Sequence, residues 1–239
     1  MILAAGLGTR LRPLTHDVPK ALVEVGGVPM LERVARRLID AGADRLVINI
    51  SPHPEMIRTF LEERDHFGVE VEISEEPDGP METGGGLKQA APLFRRDAPF
   101  VMHNVDVLTE IDLPALYAAH RAGGALATLA VRTPETERYL LFDDAGLLGY
   151  AYQGQEKTAR DAAGEVQRFD FCGVQVLSPA IFGHLEEEGK FSIITTYLRL
   201  AREGARIVPF DVGEALWIDI GTHERLAEAD AAVEAGRAA

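Results

Sequence analysis

Stretches of continuous apolar residues alternate along this chain with stretches in which apolar residues recur every three to four positions. The run Arg45–Ile50 is almost wholly apolar, as expected of a parallel strand that is buried on both faces. Between Pro29 and Gly42, apolar residues recur at helical spacing, with proline at the start and glycine at the end, which predicts an amphipathic helix. The repeated alternation predicts an α/β fold, a doubly wound and mostly parallel sheet with right-handed crossovers.

The alternation lapses between residues 132 and 168, where short β-like segments replace it. Two such segments, Tyr139 to Phe142 and Leu147 to Tyr152, flank a polar turn, and we predict a small β insertion here. A helix capped by Thr222 is predicted near the end of the sequence. Because 239 residues lie within the range of one large α/β domain, we predict a single domain over 1–239.

Composition narrows the class of protein. Acidic residues outnumber basic ones by 38 to 24, giving a formal charge of −14, which argues against a nucleic-acid or anionic-membrane partner. The single cysteine, Cys172, rules out an internal disulfide and is consistent with a reducing compartment. The sequence shows neither an apolar run of about 18 residues nor a signal-peptide pattern. We therefore predict a cytoplasmic protein, monomeric or homodimeric, without a membrane or nucleic-acid partner.

The first twenty residues concentrate glycine and basic residues after an apolar run. The glycines are Gly6 and Gly8, and the cations are Arg10, Arg12 and Lys20. Glycine permits positive φ angles and close backbone approach, so several N–H groups can point at one anion. The segment lacks the Gly-Lys-Ser/Thr ending of a P-loop, and the third glycine of a dinucleotide-binding fingerprint would fall on Leu11. The order of residues predicts a different kind of polyphosphate-binding loop, in which arginine and lysine neutralise the phosphate oxygens.

This opening resembles the signature of the sugar-phosphate nucleotidylyltransferases. The match runs from Leu3 to Thr15 as Leu-Ala-Ala-Gly-x-Gly-Thr-Arg-Leu-x-Pro-Leu-Thr, and continues at Pro19-Lys20. The resemblance implies a Rossmann-like, GT-A-like nucleotidyltransferase fold, with a nucleotide-binding half over 1–110 and a sugar-phosphate-binding half over 111–239. It implies nucleotide contacts from Leu3, Ala4, Ala5, Gly6, Gly8, Thr9 and Arg10.

Two carboxylates far apart in the sequence are the expected magnesium ligands. Asn104-Val105-Asp106 resembles the family's Asn/Asp-Gly-Asp, and Trp217 to Thr222 matches its Trp-x-Asp-x-Gly-Thr, which contains Asp219. Magnesium prefers oxygen ligands and keeps several waters, so Asp106 and Asp219 together with substrate phosphates suffice to bind Mg²⁺. Val105 stands where the family has glycine, and we expect its side chain to crowd the bound substrate.

Three further segments resemble substrate-binding parts of the family. Glu82-Thr83-Gly84-Gly85-Gly86 is similar to the Glu-Thr-Gly-Gly-Gly of muramic acid 1-phosphate uridylyltransferases, which implies that Glu82, Thr83 and Gly84 lie against the nucleotide. Asn104 and Gly173 are implied contacts of the acceptor sugar. Glu156-Lys157 resembles the pair that holds the sugar phosphate in many relatives, although Thr158 replaces the usual proline.

The resemblance predicts an enzyme that transfers a nucleotidyl group from a nucleoside triphosphate, expected to be UTP, to a sugar 1-phosphate. Arg10, Lys20 and Asp106 are the expected catalytic residues: Arg10 holds the leaving pyrophosphate, Lys20 neutralises charge at the α-phosphate, and Asp106 binds the metal. Other pairings stay open, namely GTP with mannose 1-phosphate or a heptose phosphate, and CTP with phosphocholine. A non-catalytic nucleotide-sugar sensor on the same fold is the alternative from a different class.

Overall fold

The computed structural model describes residues 1–51 and 53–238 and confirms the predicted α/β fold. In this part of the chain a ten-stranded mixed sheet forms the centre and six α-helices surround it. The strands are β1 (Ile2–Leu3), β2 (Glu24–Val25), β3 (Val28–Pro29), β4 (Arg45–Ile50), β5 (Glu70–Glu75), β6 (Phe100–Asn104), β7 (Val107–Thr109), β8 (Ala127–Arg132), β9 (Leu140–Asp143), β10 (Gly146–Tyr152), β11 (Gln155–Thr158), β12 (Gln167–Leu177), β13 (Ile207–Asp211) and β14 (Trp217–Asp219). The helices are α1 (Met30–Asp40), α2 (Pro54–Glu63), α3 (Glu82–Ala90), α4 (Leu113–Gly123), α5 (Ile193–Arg202) and α6 (His223–Glu234).

The sheet follows the order β11-β10-β9-β12-β6-β1-β4-β5, and β8 pairs with both β12 and β13. The pairs β1–β4, β1–β6, β4–β5 and β8–β13 are parallel, whereas β12 runs antiparallel to β6 and β8. Since β6 and β8 both oppose β12, they point the same way. Their carboxyl ends therefore share one edge of the sheet with those of β1, β4 and β5, the edge at which ligands of open α/β sheets bind.

The helices form where the sequence places apolar stripes and caps. Helix α1 buries Leu31, Val34 and Leu38 against the sheet, and begins at Met30, one residue after Pro29. Pro29 itself pairs with Glu24 in a small hairpin. The predicted cap of α6 is present, since the Thr222 side chain accepts a hydrogen bond from the Arg225 backbone at 3.3 Å. None of the helices in the described ranges has the length and apolar character needed to cross a bilayer.

Two further sets of strand pairings matter for the site. The predicted β segments after residue 132 form the antiparallel strands β9 and β10, joined by β11 at the outer edge and by β12 at the inner one. Separately, β7 and β14 pair as a two-stranded sheet, with Asp219 opposite Val107. This second pairing brings the region near the end of the sequence beside the segment that follows β6.

Candidate active site

The glycine-rich loop leaves the carboxyl end of β1 and turns sharply at Gly8. Gly8 has φ +61°, in the left-handed region that favours glycine. The Thr15 hydroxyl donates to the Gly8 carbonyl at 2.7 Å, and a Cβ on Gly8 would lie 3.1 Å from the Lys20 Cβ. Glycine is therefore required both for the turn and for the close packing of Lys20. Gly6, Thr9, Arg10 and Arg12 are exposed around this turn, while Ala4 and Ala5 are buried at its base.

The structure brings Asp106 and Asp219 together beside Lys20. The Lys20 Nζ contacts the Asp106 carboxylate, and the Lys20 residue is only 6% exposed. The Ile220 backbone donates to the Asp106 carbonyl at 2.9 Å, so the two acidic residues are neighbours across the β7–β14 ladder. Burial raises the pKa of Asp219, and the nearby Asp106 carboxylate raises it further. Two adjacent carboxylates balanced by a single buried ammonium form a centre that a divalent cation fits.

The donor set suits Mg²⁺ because both side chains offer oxygen ligands, which magnesium prefers. Within the described part of the chain, acidic, histidine and cysteine side chains form no cluster of three or more that could hold an ion. Substrate phosphates and water would complete the coordination. Arg10 borders the same centre, because its guanidinium packs over Gly221, whose backbone donates to Asp219 at 2.7 Å.

The second glycine cluster is packed by the protein itself. Gly84 lies against the Phe191 ring and donates to the Phe191 carbonyl at 2.9 Å. A Cβ on Gly85 would lie 2.6 Å from the Gly189 carbonyl, and the Thr83 hydroxyl accepts from the Ile193 backbone at 2.9 Å. Internal packing thus accounts for these residues, while the side chain exposed at the start of α3 is Glu82, at φ +61°. Their role in binding nucleotide stays a prediction.

A buried polar chain, which sequence reasoning missed, joins the two glycine segments. The Ala4 backbone donates to Asn49 Oδ1 at 2.8 Å, and Asn49 Nδ2 donates to Glu76 Oε1 at 2.7 Å. The other Glu76 oxygen accepts from the Met81 backbone at 2.8 Å. Asn49 and Glu76 are 3% and 2% exposed. The one available signal was Asn49 itself, a polar residue between the apolar Ile48 and Ile50 of β4.

On the acceptor side, Asn104 and Gly173 lie in direct contact. Gly173 has φ +72°, and a Cβ on it would lie 2.7 Å from Asn104 Nδ2. The Trp217 indole donates to the Cys172 carbonyl at 2.8 Å, which fixes the backbone next to Gly173. Burial raises the pKa of the Cys172 thiol to about 12, so this residue is a core thiol and no nucleophile.

The expectation that Val105 crowds the substrate is wrong. Its side chain is 3% exposed and packs in the core with Ile218 and Ile220. The physical reason is the turn between β6 and β7: Val105 lies in this turn and its side chain packs inward, whereas the Asp106 carboxylate contacts Lys20. A side chain at this position therefore adds to the core and leaves the substrate space unchanged.

Glu156 and Lys157 lie at the opposite margin of the sheet. They belong to β11, the edge strand, and β10, β9 and β12 come between it and β6 in the sheet order. Glu156 accepts from Tyr139 at 2.9 Å and from Arg168 at 2.8 Å. The structure does not bring this pair to the carboxylate centre, and its contact with a sugar phosphate stays a prediction.

Comparison with known proteins agrees with this geometry. The family described as nucleotidyl transferase matches residues 1–236. The chain belongs to this family. N-acetylmuramate alpha-1-phosphate uridylyltransferases are 31% identical in Caulobacter vibrioides and 33% identical in Neisseria meningitidis, each over 97% of this chain and 95% and 96% of their own. These matches confirm the predicted family and enzyme class of this nucleotidyl transferase.

More distant relatives differ in the base that their names specify. Mannose-1-phosphate guanyltransferase 2 of Candida glabrata is 30% identical over 92% of the chain, which spans 60% of that relative's length. Among solved structures, HddC from Yersinia pseudotuberculosis is 25% identical with a TM-score of 0.73, and each chain covers 97% of the other. An apo UDP-glucose pyrophosphorylase has a TM-score of 0.78 at 16% identity, which supports the fold alone.

Proposed function

We propose that this nucleotidyl transferase moves a uridylyl group from UTP to N-acetylmuramic acid 1-phosphate and releases pyrophosphate. The observation that carries the proposal is the end-to-end match to two N-acetylmuramate alpha-1-phosphate uridylyltransferases, which cover 97% of this chain and at least 95% of their own. The guanyltransferase relative, in contrast, has 40% of its length outside the match.

The residues of the site fit this chemistry without a general base. The acceptor phosphate is already ionised near neutral pH, so catalysis depends on alignment and on neutralising charge. Asp106 and Asp219 would hold Mg²⁺, which supplies Lewis-acid stabilisation of the phosphoryl oxygens when bound. Arg10 and the glycine-rich loop would bind the pyrophosphate portion of UTP. Lys20, buried beside Asp106, would place its ammonium near the α-phosphorus.

His103 does not supply a base here. It lies three residues before Asp106 and is fully buried, with its Nδ1 2.7 Å from the Asn104 carbonyl. Burial lowers its pKa to about 4, so the ring is neutral at physiological pH. It acts as a packed, hydrogen-bonded strand residue.

A pyrophosphate-release assay tests the proposal directly. The four nucleoside triphosphates would be paired with N-acetylmuramic acid 1-phosphate, mannose 1-phosphate and glucose 1-phosphate, with and without Mg²⁺. We expect the highest kcat/KM for UTP with the muramic acid derivative. A preference for GTP with mannose 1-phosphate would contradict the substrate assignment. The complete absence of turnover with every pair would favour the nucleotide-sugar sensor instead.

Replacing Asp106 tests the role of the carboxylate pair. Asp106→Asn keeps the shape but removes a charge that holds the metal, so we expect kcat to fall by about 10³-fold, equivalent to several kcal/mol. Asp97→Asn is the matched control, because the exposed Asp97 precedes β6 whereas Asp106 follows it. Near-normal kcat in Asp106→Asn, with an unchanged dependence on Mg²⁺, would exclude the metal role.

A further inference from the structure

Arg132 occupies a position at the ligand-binding edge that the proposed reaction does not yet use. It is the last residue of β8, whose carboxyl end lies at the same edge as Asn104 at the end of β6. Only β12 separates these strands, so the two backbones lie about 10 Å apart. Arg132 is opposite Asp170, three residues before Gly173 in β12, so it lies at the same sheet edge as the predicted acceptor contacts Asn104 and Gly173.

The ring of Trp217, two residues before Asp219, holds the Arg132 guanidinium in place. The guanidinium carbon of Arg132 lies 5.2 Å from the Trp217 ring centroid, a cation–π arrangement that fixes a long side chain. Trp217 and Asp219 alternate in β14, so their side chains share one face, about 7 Å apart along the strand. The stacked guanidinium thus lies on the same face of β14 as Asp219.

The present partner of this guanidinium is easily replaced. Arg132 pairs with Glu135, three residues along, whose side chain is 60% exposed, while that of Arg132 is 20% exposed. Exposed ion pairs of this kind contribute little stability. Asp170, opposite Arg132 in the β8–β12 ladder, already accepts from the Glu135 backbone at 2.9 Å and from Thr136 at 3.3 Å. Another carboxylate can therefore take the place of the Glu135 side chain.

We propose that Arg132 selects an acceptor sugar that carries a carboxylate. The substrate carboxylate would bind the Arg132 guanidinium and displace the side chain of Glu135. A guanidinium fork matches a carboxylate with two parallel hydrogen bonds. The inference rests on the proposed function and deepens it, since N-acetylmuramic acid differs from N-acetylglucosamine by a lactyl ether that ends in a carboxylate.

Two matched pairs of acceptors test the inference with UTP. One pair is N-acetylmuramic acid 1-phosphate and N-acetylglucosamine 1-phosphate; the other is glucuronic acid 1-phosphate and glucose 1-phosphate. Wild-type protein should prefer the acid in at least one pair. Arg132→Gln should raise the KM for that acid by roughly 10- to 100-fold with little change in kcat. Its effect on the uncharged member should be at least ten-fold smaller. Arg132→Lys, which keeps the charge but loses the fork, should fall between.

Two further variants make the design specific to this side chain. Arg225 lies over the same ring at 5.9 Å and pairs with Glu228 at 2.7 Å, so Arg225→Gln should keep the preference for the acid. Glu135→Gln frees the Arg132 guanidinium and should lower the KM for the acid about two- to three-fold.

Two outcomes would overturn the inference, and neither depends on the exact acceptor. Wild-type preference for the uncharged member of both pairs would show that the site does not select a carboxylate. Equal losses on both members in Arg132→Gln would show that Arg132 contacts the shared phosphate. Use of glucuronic acid 1-phosphate in preference to the muramic acid derivative would instead contradict the proposed acceptor and support the role of Arg132.

Discussion

The glycine segments around β1 and α3 and the β insertion around β9 to β11 use polar residues in opposite ways. Near the glycines, Asn49 and Glu76 are almost completely buried, and their hydrogen bonds tie Ala4 to Met81. In the insertion, Glu156, with a side chain 36% exposed, pairs with an Arg168 side chain that is 51% exposed. Buried networks hold one geometry because a broken member is costly, whereas exposed pairs exchange easily with water.

This difference suggests a division of labour within the enzyme. The glycine segments are fixed before substrate arrives, which suits the binding of a nucleotide whose polyphosphate is always the same. The insertion has a solvent-exposed outer strand, β11, whose polar contacts exchange easily with water. The contrast predicts that substitutions of buried polar residues near the glycines lower both stability and nucleotide affinity. Most substitutions of polar residues in the insertion should change neither quantity.

Asp143 is an exception within the insertion, because solvent does not reach its carboxylate. Arg160 donates to its two oxygens at 2.7 and 2.5 Å, and the backbones of Ala145 and Ala163 donate at 2.9 and 2.7 Å. Asp143→Asn should lower the free energy of unfolding by about 3 kcal/mol, since it removes charged hydrogen bonds and leaves Arg160 without its partner. For a chain of this size the melting temperature should fall by roughly 6–12 °C.

The pH dependence of this loss follows from the same contacts. Hydrogen bonds from Arg160 hold the pKa of Asp143 well below its usual range, in spite of burial. A depressed pKa in the folded state contributes stability above the unfolded value of about 3.9, and the contribution fades as pH falls below it. The difference in melting temperature between wild type and Asp143→Asn should be complete at pH 6 and shrink below about pH 4. Asp144→Asn, at the exposed neighbouring position, should change stability by less than about 0.5 kcal/mol. An equal loss in both variants would contradict this account.

The Asn49–Glu76 pair allows a test by exchange of charge. In Glu76→Gln an amide donor faces the donor of Asn49, and in Asn49→Asp two carboxylates face each other. Each variant should cost about 2 kcal/mol, or roughly 4–8 °C in melting temperature, and raise the KM for UTP more than it lowers kcat. The double variant Asn49→Asp/Glu76→Gln restores every donor and acceptor, because the carboxylate introduced at position 49 would accept from the Ala4 backbone and from the amide introduced at position 76.

Rescue in the double variant is the decisive measurement. We expect at least half of the lost stability and of the lost UTP affinity to return, whereas independent sites would lose about 4 kcal/mol in total. Ser51→Ala removes a peripheral contact, the 3.2 Å hydrogen bond to the Glu76 carbonyl, and serves as the control with a small effect. Additive losses in the double variant would show that the two side chains act separately.

The parts of the fold that sequence predicted well are those in which the signal is local. Apolar runs and helical spacing gave the correct α/β class, because each strand and helix buries its own stripe. The two motifs that contain Asp106 and Asp219 indicated that these residues meet. The strand β7, which pairs with β14 and so brings the two motifs together, had no clear pattern of its own. Three residues are too few to show a period.

The features that sequence reasoning missed depend on contacts between distant segments. Asn49 and Glu76 are 27 positions apart, and Arg132 and Trp217 are 85 apart, so no local pattern connects them. The error at Val105 has a different source. The family motif identified the position correctly. The direction of the Val105 side chain, however, depends on a distant segment, since the Ile220 backbone donates to the carbonyl of the neighbouring Asp106.

The smallest expected effect lies at the outer strand of the insertion. Glu156→Gln removes the charge that Arg168 and Tyr139 contact, yet the exposure of this group should limit the loss in unfolding free energy to less than about 1 kcal/mol.

Lys157→Gln separates a structural role from substrate binding: if Lys157 holds the sugar phosphate, the KM for every acceptor should rise about ten-fold at unchanged stability. A change below about two-fold in both variants would leave β11 without a catalytic role. The acceptor phosphate would then have to be held elsewhere, and the carboxyl edge of β6 and β8 is the region we would test next.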